Sequence, residues 1–393
     1  MKIGVVCGYP IPCGMAATTR IFSYTKGVVA KGGKAEVFSY IPSGINKDGY
    51  IEDSGYFEGV KYIYTYRRKK SKKYISKLLE VVYSLIKLPI ELYKSNQKER
   101  FDAILVSTDT FYIQGYLALI NLVLKAKLIF IFDEFPIPIR GKLAEKIPNW
   151  KIYAYKAVLK SYSGYVSMTQ ELLNYYQKIS FHKGLVLSTI TDTSRFDATS
   201  DVDLHKNITC YKIVYMGNME LSKDNVDNIL LSLTYIPNQY HYHLYLYGNP
   251  SPSDKNKLQK IIIDNNLSKC VSFDFVPYRD VPRRLKEADI LVSSQPITKR
   301  AAGGFPTKLG EYLMTGKPVL LTDVGETSKF FSNHTQIFFA QPNSPEDFAR
   351  ELIYIFNNYT KALAVGKEGK TLIEKEFSHV IAGEKICNFI KAL

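Results

Sequence analysis

Along the first half of the chain, short unbroken apolar runs alternate with stretches whose apolar residues recur every three or four positions. The runs "KIGVVCG" (2–8), "KAEVFSY" (34–40), "FDAILVST" (101–108), "AKLIFIFDEF" (126–135), "GYVSMT" (164–169) and "KGLVLST" (183–189) read as strands. "AATTRIFSYTKGVVAKG" (16–32) reads as a helix that stops at Gly32-Gly33, where a left-handed cap meets no Cβ. The second half repeats the grammar, with strands at "YKIVYMG" (211–217), "YHLYLYG" (242–248), "VSFDFV" (271–276), "DILVSS" (289–294), "PVLLT" (318–322) and "QIFFA" (336–340). Strands that are apolar throughout, and separated by helices, predict parallel sheets covered on both faces. The polar stretch "TITDTSRFDATSDVDLHKN" (189–207) has no apolar period and marks the expected boundary. Two α/β domains follow, with ligands expected beyond the carboxyl ends of the strands and in the cleft that two such domains leave.

Length and composition agree with this picture. At 393 residues and 46% hydrophobic, the chain has material for two domains with full cores. Its five cysteines, at 7, 13, 210, 270 and 387, are odd in number and form no C-x-x-C pair. That pattern argues against a disulfide framework or zinc knuckle and fits reduced thiols in a cytosol. "MKIGVVCGYP" lacks the apolar core and cleavage site of a signal peptide and reads as a first strand. No apolar run reaches the roughly 18 residues of a membrane span.

The net charge of +15 changes the picture more, because it calls for acidic partners. Seven basic residues crowd into "RRKKSKKYISK" (67–77). The run continues into "YISKLLEVVYSLIKLPIELYKS" (74–95), where Ile75, Leu78, Leu79, Val82, Leu85 and Ile86 recur at helical spacing. A cationic amphipathic helix of this type lies on an anionic membrane surface. The same pattern also serves a surface helix packed on its own domain. Nucleic acid is not expected as a partner, since neither an RNP-like aromatic motif nor zinc spacing occurs.

The densest chemistry lies in "GGFPTKLGEYLMTGKPVL" (303–320). Gly303 and Gly304 admit close approach of backbone to a ligand. Phe305-Pro306 stiffens the turn, and Thr307 stands where a helix cap is expected. Free N–H groups at a helix start favour phosphate, and Lys308 adds a full charge beside them. Glu311 follows three residues later, on the same helical face. A carboxylate there accepts hydrogen bonds from two adjacent hydroxyls, as a ribose diol presents them. A capped helix with an ordinary Lys/Glu pair has the same pattern. Upstream, Gly14 in "YPIPCGMAATTR" follows the first strand, either in a ligand-facing loop or as a plain turn glycine. "FDEFP" (132–136) ends another strand with two carboxylates, Asp133 and Glu134. "GKEGKT" (366–371) is too tightly spaced for a phosphate loop and follows no strand.

The segment at 303–320, preceded by "EADILVSSQP" (287–296), resembles the nucleotide-sugar motif of retaining glycosyltransferases with the GT-B fold, the family 4 group also called glycosyl transferases group 1. "CGMAATTRIFSYTKGVVAKGGKAEVFS", "TITDTSRF", "YMGNMELSKDNVDNILLSL" and "GKEGKTLIEKEFS" resemble further family segments in the same order. The resemblance implies an α/β GT-B fold of two Rossmann-like domains facing across a cleft. Residues 1–195 would form the acceptor-side domain, 196–375 the donor-side domain, and 376–393 a helix crossing back to the first. It implies that Lys308 and Lys223 hold the diphosphate of a nucleotide sugar, with Arg300 a further candidate. Glu311 would hold the ribose, and Gly14, Asn218, Gly303, Gly304, Phe305 and Thr307 would surround the donor. Asp133 and Glu134 would face the acceptor. Two positions depart from the family: Gly303 stands where the first Glu of E-x7-E is usual, and Asn218 where an arginine is usual. No D-x-D-like pair lies in the expected place and the six His are scattered, so no metal cofactor is expected. The implied activity is transfer of a sugar, from a UDP donor by family frequency, to a hydroxyl of a growing capsule, lipopolysaccharide or O-antigen glycan. The acceptor would be lipid-linked, with the enzyme cytoplasmic and resting on the inner face of the cytoplasmic membrane. A catalytically degenerate GT-B binding protein, on membrane or nucleic acid, and a GT-B sugar epimerase remain the alternatives.

Overall fold

The structure, a computed structural model, describes residues 1–12, 16–41, 52–66, 74–108, 110–135, 149–197 and 208–393. Met1–Ile190 with His379–Leu393 forms one compact unit, and Thr191–Ser378 the second.

In the first unit eight strands lie in one sheet among the described residues. They are β1 (Lys2–Cys7), β2 (Lys34–Ser39), β3 (Ser54–Phe57), β4 (Val60–Tyr64), β5 (Ala103–Ser107), β6 (Lys127–Phe132), β7 (Gly164–Ser167) and β8 (Gly184–Val186). Their order is β3-β4-β2-β1-β5-β6-β7-β8, parallel except for the hairpin β3–β4. The apolar runs became strands because both faces are covered: β1 and β5 are buried along their whole length. The hairpin went unread in the sequence. Its first strand alternates between exposed and half-buried positions, and its turn is the inconspicuous pair Glu58-Gly59, both at positive φ (49° and 81°).

The helix Ala16–Ala30 ends with Gly33 N–H on the Val28 carbonyl at 3.0 Å and Gly32 at φ 79°. This left-handed closure favours glycine. The helix His379–Ala392 packs on Ala16–Ala30, with Gly27 and Gly383 meeting backbone to backbone. A Cβ on either glycine would overlap the opposite helix.

The helix Tyr74–Lys98 turns Ser84, Leu88, Leu92 and Ser95 inward. Much of its apolar face is exposed: Ile75 is 73% exposed and Leu79 63%, with Leu78, Val82 and Ile86 alongside, while Leu85 is half-buried. Tyr116 of the helix Phe111–Leu124 donates to the Leu85 carbonyl at 2.7 Å and ties that helix beside it. Leu119, Leu122 and Val123 on Phe111–Leu124 are exposed as well. The basic run at 67–73 lies outside the described residues. Among the described residues no helix is long and apolar enough to cross a membrane.

The second unit holds a six-stranded sheet, all parallel: β9 (Tyr211–Met216), β10 (Tyr242–Tyr247), β11 (Val271–Asp274), β12 (Ile290–Ser293), β13 (Val319–Thr322) and β14 (Phe338–Ala340). Their order is β11-β10-β9-β12-β13-β14. Ile213, Leu244, Ile290 and Leu320 on the strands pack with Phe348, Leu352 and Ile355 of the helix Pro345–Asn357. The unit begins and ends where Thr191 N–H bonds the Phe377 carbonyl at 2.9 Å and Thr191 bridges Ser378. Residues 191–195 and 376–378 therefore belong to the second unit, a shift of a few residues from the boundaries expected from sequence.

Candidate functional site

The residues singled out in the second unit gather beyond the carboxyl ends of β9, β12 and β13. The anchor is Tyr312 of "GEYL". Its hydroxyl accepts from Met216 N–H at 2.7 Å and donates to the Met216 carbonyl at 3.2 Å. These bonds pin the helix Lys308–Leu313 on the end of β9. Lys308 Nζ then lies 3.0 Å from Tyr215 Oη and 3.0 Å from Asp224 Oδ1, above the Tyr215 ring. Gly217 makes room for it, since a Cβ there would sit 2.6 Å from both Lys308 Nζ and Tyr215 Oη. Burial works to raise the Asp224 carboxyl, but the charge and hydrogen bond of Lys308, the Lys223 charge and the Tyr215 hydroxyl together outweigh it and hold the group below its ordinary value. Burial, followed by the Asp224 charge, pushes the Tyr215 hydroxyl well above its ordinary value.

Lys223 is half-buried on the short helix Leu221–Asp224, next to Asp224, and its charge also acts on that carboxylate. Arg300 Nη1 reaches Glu220 Oε1 at 3.0 Å, at the start of the same short helix. The loop after β9 thus collects Lys223, Lys308 and Arg300 around two carboxylates. Asn218 stands exposed in that loop.

Glu311 does not pair with Lys308. Its carboxylate is bonded by Arg195 Nη1. The second arm of Arg195, Nη2, donates to the Tyr278 carbonyl at 3.1 Å, and the guanidinium lies 4.1 Å over the Tyr278 ring. Burial works against the Arg195 charge, but Glu311, Tyr278 and Asp192 outweigh it, and the net shift is upward. The ordinary intrahelical Lys/Glu pair is therefore not what this helix contains.

The start of this helix departs in detail from the sequence reading. Thr307 occupies the cap position with helical φ and ψ (−59°, −29°), and its side chain makes no cap hydrogen bond. The cap with a side-chain bond is Thr298, which accepts from Ala301 N–H at 3.2 Å and starts the helix Lys299–Gly303. Gly303 ends that short helix and Gly304 caps it, with Gly325 pressed against the Ala301 carbonyl. Phe305 is buried against Phe330, at 5.8 Å between ring centres, so it supports the turn from inside. The helix Lys308–Leu313 spans only six residues, too short for a strong dipole, and the positive field here comes from side chains.

Residues 199–372 match the family described as Glycosyl transferases group 1. The whole chain superposes on a Rickettsia africae glycosyltransferase at TM-score 0.74 and 15% identity, covering 100% of this chain and 98% of that one. Anabaena Alr3699/HepE, solved in complex with UDP, matches at TM-score 0.74 and 14% identity, with both chains covered completely. A sucrose-phosphate synthase from Thermosynechococcus elongatus matches at 0.73 and 14%, covering 100% and 98%. No curated protein matches the chain significantly by sequence. The chain has the GT-B fold. Its residues 199–372 are similar to glycosyl transferases group 1.

In the first unit, Asp133 follows β6 and is held by Arg20, whose Nε lies 3.0 Å from Asp133 Oδ1. Arg20 is buried and also bonds the Ser188 carbonyl at 2.7 Å and the Leu187 carbonyl. Glu134 is half-exposed beside it. Gly14 lies outside the described residues; the loop before it is fixed by Tyr64, whose hydroxyl accepts from Ile11 N–H at 2.6 Å and donates to its carbonyl at 2.9 Å. Among the described residues no group of three or more His, Cys, Asp or Glu is placed to hold a metal. Asp224, Tyr215, Arg195 and Glu220 went unread as site residues. For Asp224 the available signal was its place directly after Lys223, and for Arg195 its place in the quoted "DTSRF".

Proposed function

We propose that this chain is a glycosyltransferase that moves a sugar from a nucleoside diphosphate, UDP in the first instance, to a hydroxyl of a growing cell-surface glycan, with retention of anomeric configuration. The observation that carries the reading is the cluster of Lys308, Lys223 and Arg300 within reach of one loop, with the Glu311 carboxylate one helical turn from Lys308. When the C1–O bond of the donor breaks, the electron pair and negative charge pass to the β-phosphate. Lys308 and Lys223 meet that charge in fixed positions, where such stabilisation acts most on the transition state. Glu311 accepts hydrogen bonds from the ribose. Gly303 leaves contacts to the donor sugar to backbone groups. The acceptor hydroxyl is oriented from the first unit by Asp133 or Glu134, at the end of β6, with Asp133 held in place by Arg20. The complex of Anabaena Alr3699/HepE with UDP supports the choice of nucleotide.

The exposed apolar face of Tyr74–Lys98, together with the seven basic residues at 67–77, supports an enzyme resting on anionic lipid. A lipid-linked acceptor of the capsule, lipopolysaccharide or O-antigen type would lie there, on the cytoplasmic side of the inner membrane. A thermal-shift series with UDP-, GDP- and ADP-sugars tests the donor reading. A binder at a hundred times its Kd adds about 2.7 kcal/mol of stability. The expected result is a clear rise with one nucleotide class. A flat response to all three classes rejects the donor assignment. Binding without turnover on lipid-linked acceptors favours the degenerate binding protein, the reading that the departures at Gly303 and Asn218 keep open.

A further inference from the structure

We infer that Arg195 is a positioning residue for donor recognition: it fixes the Glu311 carboxylate in the orientation that distinguishes a ribose from a deoxyribose. The inference rests on the assignment of Glu311 to the ribose and names the group that makes that assignment selective.

The arrangement is a clamp with one arm anchored. Arg195 is only 9% exposed, and Glu311 24%. One nitrogen of the guanidinium is held by the Tyr278 carbonyl at 3.1 Å and the plane rests on the Tyr278 ring, so the group cannot swing freely. Its other nitrogen bonds Glu311 Oε1. A glutamate alone has three rotatable bonds and spreads over several rotamers; a rigid, planar, permanently charged partner selects one of them. The bond to Oε1 leaves Oε2, and a remaining lone pair on Oε1, for two hydroxyls. Lys308 does not compete for the carboxylate, because Asp224 holds it. The carboxylate is therefore ordered before any ligand arrives, and the freedom otherwise lost on binding is already gone. A ribose diol gains from this order. A sugar lacking the 2′-hydroxyl gains far less.

The experiment measures the affinity of the full chain for UDP and 2′-deoxy-UDP by titration calorimetry, with the guanine pair used if GDP is the binder. In the parent, the ribonucleotide is expected to bind at least about tenfold more tightly, the scale of a hydrogen bond to a charged group. Glu311→Gln should bring the ratio close to one. Arg195→Met should also lower the ratio by about fivefold or more while leaving 2′-deoxy-UDP binding nearly unchanged. A merely structural role would weaken both nucleotides equally. Arg195→Lys keeps the charge but reaches only one of the two partners, so an intermediate ratio is expected; this variant decides the matter if Arg195→Met does not fold. An unchanged ratio in both Arg195 variants, an equal loss for both nucleotides, or tighter UDP binding on removing Arg195 each overturns the inference. If Glu311→Gln lowers the ratio and the Arg195 variants do not, only the role of Arg195 fails. If Glu311→Gln leaves the ratio intact, or no nucleotide binds, the ribose assignment fails and takes this inference with it.

Discussion

Asp224→Asn gives the most direct test of how Lys308 works. The carboxylate is 7% exposed and lies 3.0 Å from an ammonium that is 20% exposed. Asn keeps the shape and one acceptor oxygen but removes the charge. Leaving a largely buried ammonium without its counter-charge should cost about 1–3 kcal/mol of stability. The effect on ligand binding has the opposite sign. A phosphate oxygen hydrogen-bonded to Lys308 would lie about 6 Å from Asp224. At an effective dielectric constant near 20 the two negative charges repel by about 3 kcal/mol, and screening in a partly open site reduces this to about 1–2 kcal/mol. UDP should therefore bind about tenfold more tightly to Asp224→Asn than to the parent, while the melting temperature falls. The assay is calorimetry with UDP at physiological salt beside a thermal melt without ligand. The pH dependence is fixed by the depressed carboxyl. The pair's contribution is complete above the unfolded carboxylate range, about pH 4, and is lost as pH falls through the still lower folded value. Parent and variant should therefore differ by a constant amount between about pH 5 and 8 and converge in stronger acid. Unchanged or weaker UDP binding by a folded Asp224→Asn would refute the placing of Lys308 on the diphosphate.

Two further outcomes follow. Gly383→Ala should lower stability even though alanine is favoured over glycine within a helix by about 1 kcal/mol, because its Cβ would overlap the Gly27 backbone and force the helices Ala16–Ala30 and His379–Ala392 apart; a rise in melting temperature would contradict the close contact. Replacing Lys69, Lys70, Lys72 and Lys73 with Glu should release the protein from anionic vesicles while sparing UDP binding, since each basic residue near such a surface contributes about 1 kcal/mol; equal cosedimentation of the parent with neutral vesicles, or with neither kind, would return the segment to a plain surface helix.

Much of the fold was legible because parallel strands covered on both faces leave unbroken apolar runs. β1, β5, β7, β12 and β13 are buried residue by residue. The hairpin β3–β4 was not legible, because an edge strand that alternates between exposed and half-buried positions carries no such run. The boundary between the units was legible only to within a few residues. The contacts that assign residues 191–195 to the second unit are made by Thr191 with Phe377 and by Arg195 with Glu311, far apart in the chain.

For the site, local and distant signals divide along the same line. Lys308, Glu311 and Tyr312 fall within one helical turn or so, and their spacing alone places them on a common element. What each of them touches is decided elsewhere: Asp224 lies 84 positions from Lys308, Arg195 lies 116 from Glu311, and Met216 lies 96 from Tyr312. Sequence spacing alone does not express a contact of that separation, because it exists only once β9, β12 and β13 are in register. The consequence is chemical as well as geometric. Read locally, Lys308 and Glu311 are a salt bridge that neutralises itself on the helix surface. Read in the fold, each is bound by its own buried partner, and the helix presents an ordered cation and an ordered carboxylate side by side. A diphosphate joined to a ribose makes that pair of demands on a protein, an anion and a diol a few ångströms apart, and this is why the partners Asp224 and Arg195 are the residues to test.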